Sequence, residues 1–197
     1  LEEAGAQLVS FSPLRDRDLP ADLDGLYFGG GYPELRAFDL AQNTSMRKQV
    51  LRFARSGRPV YAECGGFMYL MESIEGSDGR TFPMAGVFPF RAAMGKRFSA
   101  LGYREVRLRE DCPLGPAGTV VRGHEFHYSE ITVDDALPHG WRRAYAVRHR
   151  SHMVEEGFAK GQVLASYVHL HWASRPEVAQ RLLAQIIRRR ASPGDEG

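Results

Sequence analysis

The chain has 197 residues, 43% hydrophobic and 25% charged, with 26 basic and 24 acidic side chains. That size and mix fit one globular domain with a real core, and a net charge of +2 gives no footprint for binding nucleic acid or a membrane surface. No apolar run approaches the roughly 20 residues of a bilayer span, no signal peptide opens the sequence, and two cysteines outside any CxxC pattern, Cys64 and Cys112, argue against a disulfide framework or a cysteine zinc site and point to the cytoplasm.

The opening "LEEAG" reads as the last turn of a helix stopped near Gly5, with a strand to follow from Gln7 to Phe11. A chain that opens inside a helix, without an initiator Met, is expected to be a fragment of a longer protein. "DLDGLYFGGGYPEL" gives a short strand, Leu26 to Phe28, running into three glycines where the backbone must turn. "FDLAQNTSMRKQVLRFARSGRPV" reads as one helix with Met46, Val50, Phe53 and Ala54 on one face, capped at Gly57 and stopped by Pro59. "PVYA" is the next strand and "GFMYLMES" starts the next helix. Strand, helix, strand, helix predicts an α/β fold with a parallel sheet.

From Phe82 to Arg150 the runs "LGYREVRL", "GTVVRGHEFHYSEI" and "RRAYAVRHR" predict antiparallel strands that continue or flank that sheet. "GQVLASYVHLHW" is a strand pair or one bulged strand. "SRPEVAQRLLAQIIRRR" closes the fold as a helix, with Ser174 and Glu177 as a capping box and Val178, Leu182 and Ile186 as its buried stripe. The domain is expected over residues 1–188, with 189–197 as a polar, frayed tail.

Chemistry concentrates around Cys64. A nucleophile elbow needs a strand that stops abruptly, a tight turn and a helix that starts at once. "VYA-E-C-GG-FMYLM" supplies all three. The helix N-terminus favours the thiolate, and the Gly65 amide would face a developing oxyanion. The alternative is a buried structural cysteine, for which two adjacent glycines are a poor choice. A cysteine nucleophile wants a base, and His169, at the end of an apolar strand just before a capped helix, has the best context of the seven histidines. "HLH" and "HEFH" are weak metal patterns with no third ligand, and no metal is expected. "GGGYPE" lacks the Lys-Ser/Thr ending of a P-loop and the G-x-G-x-x-G pattern, so the Gly30 and Gly31 amides read better as oxyanion donors than as a phosphate cradle.

"GGGYPEL", "YAECGGFMYL" and "SYVHLHWAS", with "LGYREV" and "GHEFHYS" between them, resemble the glutamine amidotransferase domain of the cobyrinate/cobyrate synthase group, within the class I amidotransferases. The likeness covers about Leu1 to Arg188. It implies a class I glutamine amidotransferase-like (flavodoxin-like) sheet with flanking helices, N-terminally truncated because the family's first strand and most of a helix are missing. It implies Cys64 as nucleophile, His169 as base, and Gly30, Gly31 and Gly65 as oxyanion and glutamine-binding positions. Glutamine would be hydrolysed through a thioester. The ammonia would pass to an upstream synthetase domain, outside this chain, where ATP and Mg²⁺ serve the amidation of a corrin-type macrocycle. No cofactor is expected in this domain, and a homodimer stays open.

Many class I members carry a glutamate two residues after the base; here that position is His171. His171 is therefore the candidate third triad member or support, able to accept a hydrogen bond from His169 but a weaker stabiliser of imidazolium than a carboxylate. Glu63 alternates to the other side of its strand and is a poor candidate for the missing acid. In "GKRFSALGYREV", Lys96, Arg97 and Arg104 could meet substrate carboxylates or a domain interface, or could be a solvated basic face. Within the group, "YAECGG" and "HLHW" resemble the a,c-diamide branch more than the cobyrate branch, and the nickel-sirohydrochlorin branch is also similar. A non-catalytic docking domain is the remaining alternative.

Overall fold

The computed structural model describes residues 1–95, 99–132, 137–149 and 152–191, without the side chains of 189–191. In chain order the elements are β1 (Leu26–Phe28), α1 (Ala37–Gln42), α2 (Thr44–Arg55), β2 (Val60–Glu63), α3 (Gly65–Leu70), β3 (Met71–Glu75), β4 (Thr81–Pro83), β5 (Phe88–Met94), β6 (Ala100–Leu108), β7 (Val120–His127), β8 (Ser129–Thr132), β9 (Arg142–His149), β10 (His152–Lys160), β11 (Val163–Ser166), β12 (His169–Leu170) and α4 (Pro176–Ala191).

An eight-stranded sheet runs β1-β2-β11-β10-β9-β6-β7-β12. It is parallel across β1, β2 and β11 and antiparallel through the rest. A second sheet, β4-β3-β5-β8, is parallel at β3/β5 and antiparallel elsewhere. β2 is buried at all four positions, as a strand covered on both faces must be. On one face α2 brings Met46, Val50 and Phe53 against Leu26, Phe28, Val60 and Ala62. On the other, α4 brings Val178 and Leu182 against Tyr61, Val106 and Leu164. The predicted α/β order and the antiparallel extension are both present, and the parallel part is three strands wide.

Several sequence expectations fail locally, each for a tertiary reason. Gln7–Phe11 forms no strand, because among the described residues no strand pairs with it; Leu8 and Val9 stay exposed, and Phe11 reaches the core edge-on to Phe28. The first turn is a short 3₁₀ segment, Glu2–Ala4, and Gly5 caps it with φ 98°. The long helix splits at Asn43, whose Oδ1 accepts the Met46 amide while Nδ2 donates to the Pro13 and Asp16 carbonyls. The helix after Cys64 ends at Leu70, because Met71 turns extended and pairs with β5. Ser174 does not cap α4: its hydroxyl accepts the Arg122 amide, and Glu177 pairs with Arg175. α4 runs to Ala191, past the expected boundary at Arg188, and residues 192–197 lie outside the described ones.

Candidate active site

β2 stops at Glu63, Cys64 adopts φ 46° and ψ −107°, and α3 starts at Gly65. A left-handed φ on a residue with a Cβ costs about 1–3 kcal/mol, and the surroundings hold it there. The Cys64 amide donates to the Ser166 carbonyl at 2.8 Å, and the Cys64 carbonyl accepts the Met68 amide at 3.0 Å. The thiol is 6% exposed, with Sγ 3.7 Å from the Phe126 carbonyl of β7. Burial pushes the Cys64 thiol up to about 11; the Gly65 amide pulls it down, and the carboxylates of Glu34, Glu63 and Glu125 push it further up. The expected help from the helix N-terminus therefore reaches Cys64 through Gly65 alone and is outweighed. At neutral pH the group is a thiol, so using it as a nucleophile requires a base.

The paired glycines have a steric reason. A Cβ on Gly65 would lie 2.4 Å from the Gly31 carbonyl oxygen, and one on Gly66 would lie 2.6 Å from Phe28 Cβ. The elbow and the glycine loop thus touch backbone to backbone, and the Gly66 amide donates to the Gly29 carbonyl at 3.1 Å. On its other flank the same loop meets His169. A Cβ on Gly30 would lie 2.2 Å from His169 Cε1, 3.0 Å from Nδ1 and 3.3 Å from Nε2. Those three distances put Gly30 at the Cε1 edge of the imidazole. His124, opposite His169 in the β7/β12 register, stacks on a face of the ring at 4.6 Å and 5°.

The glycine loop therefore gathers Cys64, Gly65 and His169 into one place. Among the described residues no hydrogen bond joins Cys64 to His169, and neither the Gly30 nor the Gly31 amide donates one. Burial lowers the His169 pKa, and the neighbouring His124 and His127 imidazoles lower it further. The neutral imidazole is the form that can take a proton.

His171 is not hydrogen-bonded to His169 among the described residues. It is exposed, and its amide donates to the Arg122 carbonyl at 2.8 Å. It lines a cleft of about 790 Å³ with Tyr103, Arg104, Arg122, His124 and Arg148. Arg104 borders that cleft, but its guanidinium is buried against the Glu125 carboxylate. Lys96 and Arg97 lie outside the described residues. Sequence reasoning missed His124, whose signal was its place in "GHEFHYS", and Glu63, whose carboxylate accepts the Leu170 amide at 2.9 Å.

The elbow's support contains a titratable group. Ser166, whose carbonyl holds Cys64, donates its hydroxyl to Glu156, and Glu156 also accepts the Tyr167 amide at 2.9 Å. Burial pushes the Glu156 carboxyl up to about 7 against those hydrogen bonds. Between the usual carboxylate range and pH 7 the folded state binds more protons than the unfolded one. Stability from this group therefore falls as pH rises through that window and levels off above it. Glu156→Gln, which imitates the protonated acid, is expected to raise unfolding free energy by roughly 2–3 kcal/mol at pH 8 and by little at pH 4.5. Urea denaturation at both pH values checks this; an equal effect at the two would contradict it.

The family model described as the CobB/CobQ-like glutamine amidotransferase domain matches residues 1–177. The chain is 53% identical over 182 residues to a cobyrinate a,c-diamide synthase of Syntrophotalea carbinolica, covering 91% of this chain and 39% of that protein. It is 43% identical over 191 residues to a cobyrinate a,c-diamide synthase of Salmonella typhimurium, covering 95% and 40%. The chain thus spans about 40% of the length of these relatives. Among solved structures, a glutamine amidotransferase crystal structure superposes with TM-score 0.59 at 18% identity, covering 84% of this chain and 80% of that one. PurLQS from Thermotoga maritima superposes with TM-score 0.56 at 14% identity, covering 89% and 82%. At those identities the likeness is one of fold, and it agrees with the mixed sheet and flanking helices. By its sequence the chain belongs to the CobB/CobQ-like glutamine amidotransferase domain family.

Proposed function

We propose that this domain is the glutaminase part of a cobyrinate a,c-diamide synthase, with Cys64 as nucleophile and His169 as base. The observation that carries the reading is the glycine loop, which holds the Cys64 elbow on one flank and the imidazole edge of His169 on the other. His169 takes the thiol proton, and Sγ attacks the side-chain carboxamide of glutamine. The Gly65 amide, with that of Gly31, stabilises the tetrahedral oxyanion. Gly30 serves as the wall that seats the base. Collapse of the intermediate gives a glutamyl thioester, His169 passes its proton to the departing ammonia, and water releases glutamate.

The ammonia then serves amidation in the rest of a longer polypeptide, as the span of the relatives suggests. ATP and Mg²⁺ act there, on the a and c carboxylates of a corrin-type macrocycle, in the cytoplasm. Among the described residues no helix is long and apolar enough to cross a membrane. The test is glutamine-dependent amidation by the intact protein with ATP and Mg²⁺, with cobyrinate, hydrogenobyrinate and nickel-sirohydrochlorin compared by mass spectrometry. The expected product is the a,c-diamide of a cobyrinate-type ring. Preference for the nickel macrocycle, or amidation of other carboxylates, would contradict the reading.

A further inference from the structure

β2 ends on a buried carboxylate that the acyl-transfer steps do not use. Glu63 is 4% exposed. Its Oε1 accepts the Tyr61 hydroxyl at 2.8 Å and the Leu170 backbone amide at 2.9 Å, and its Oε2 accepts the Tyr27 hydroxyl at 3.0 Å. All three partners donate, which satisfies an ionised carboxylate out of water. The two tyrosine rings stack at 5.7 Å and 8°, and Trp172 rests edge-on against both. The carboxylate is thus held by an aromatic box on one side and holds a peptide group on the other.

That peptide group is one residue from the base. β12 is two residues long and pairs with one strand, β7, through His169↔His124 and Leu170↔Gly123. So short an edge strand has little ladder of its own to fix it. The Leu170 amide is instead taken by Glu63, 107 positions away in sequence. Glu63 shares the Tyr61 face of β2, as alternation requires, and β12 arrives on that face.

We propose that Glu63 is the positioning residue of the base: through the Leu170 amide it fixes the His169 imidazole against Gly30 at its edge and His124 on its face. It does the orienting work that the acid two residues after the base does in other members, but it works through the backbone and not through the ring. The proposal rests on His169 being the base. What it requires of residue 63 is an acceptor at Oε1, not a charge next to the imidazole.

Glu63→Leu and Glu63→Gln, made in the intact protein, separate this role from plain structural support. A base displaced by about 1 Å loses roughly 100-fold in rate, so Glu63→Leu is expected to lower kcat for glutamine hydrolysis by about 100-fold with KM changed less than about threefold. Glu63→Gln keeps a carbonyl oxygen for the Leu170 amide and is expected to recover kcat to within roughly fivefold of the parent. A folded Glu63→Leu protein with parental kcat would overturn the proposal. So would a Glu63→Gln variant as slow as Glu63→Leu, because a charge and not an acceptor would then be at work. Should Glu63→Leu fail to fold, Glu63→Met, close in shape and without an oxygen for the Leu170 amide, is expected to lower kcat about 100-fold with KM changed little; parental kcat in that variant, or fast hydrogen exchange at the Leu170 amide in the parent, overturns the proposal equally. Hydrogen exchange at the Leu170 amide, slow in the parent and in Glu63→Gln, reads the clamp without turnover. A parent protein that hydrolyses no glutamine yet protects this amide would fail the functional reading and keep the clamp.

Discussion

Cys64→Ser is expected to abolish glutamine hydrolysis, by at least about 10⁴-fold, in a protein that melts as the parent does. The two side chains are close in size, and the backbone contacts of the elbow, the Cys64 amide to Ser166 and the Cys64 carbonyl to Met68, are untouched. What changes is acidity and nucleophilicity. A thiol held at about 11 is within reach of a neutral imidazole; a hydroxyl in the same burial is far harder to deprotonate. Glutamate release and thermal unfolding, measured together, check the prediction. Retention of more than about 1% of parental turnover would place the nucleophile elsewhere.

Gly30→Ala is the second large effect. The added methyl would sit 2.2 Å from His169 Cε1, well inside van der Waals contact. The ring cannot simply slide away. Its face is stacked on His124, and its strand is tied through the Leu170 amide to Glu63. The His169 ring or the loop must move, and the loop is packed on Gly65. A loss of about 10²- to 10³-fold in kcat is expected, with the fold intact because the site lies at the end of the strands. Steady-state kinetics and circular dichroism on the variant check it. A kcat within twofold of the parent would contradict the edge contact. Gly31→Ala is a useful contrast, since no atom lies within 4 Å of a Cβ at Gly31.

These two residues also mark how far the sequence could be read. The Cys64 elbow was legible because its requirements are local: a strand, a turn and small neighbours lie in consecutive residues. Gly30 was legible as a loop glycine but not as the wall behind an imidazole 139 positions on, because nothing local encodes that contact. Glu63 shows the same limit. Alternation gave its face, but only the fold brings β12 to that face. His171 was read from spacing to the base, and spacing along a strand end does not fix where a ring turns; its side chain faces the Tyr103 cleft.

Among the elements, strongly periodic segments such as α2 and α4 were clear. Short ones were not. "LMESIE" carries a mixed pattern that serves a helix or a strand, and pairing with β5 decides it. β10 was missed because "HMVEEGFAK" breaks alternation: Gly157 takes φ 65° there, and Glu156 is buried rather than exposed. The capping box at Ser174 failed for a different reason. The hydroxyl found a partner in Arg122, across the β7 edge.

A nucleophilic Cys64 in a glutamine site must react with a glutamine analogue that traps thiolates. The most direct measurement is mass spectrometry of the intact protein after incubation with a diazo-ketone analogue of glutamine, with Cys64→Ser alongside. One adduct is expected, on Cys64, suppressed by excess glutamine and absent from the serine variant. An adduct on another residue, or labelling of Cys64 that glutamine does not suppress, would contradict Cys64 as that nucleophile.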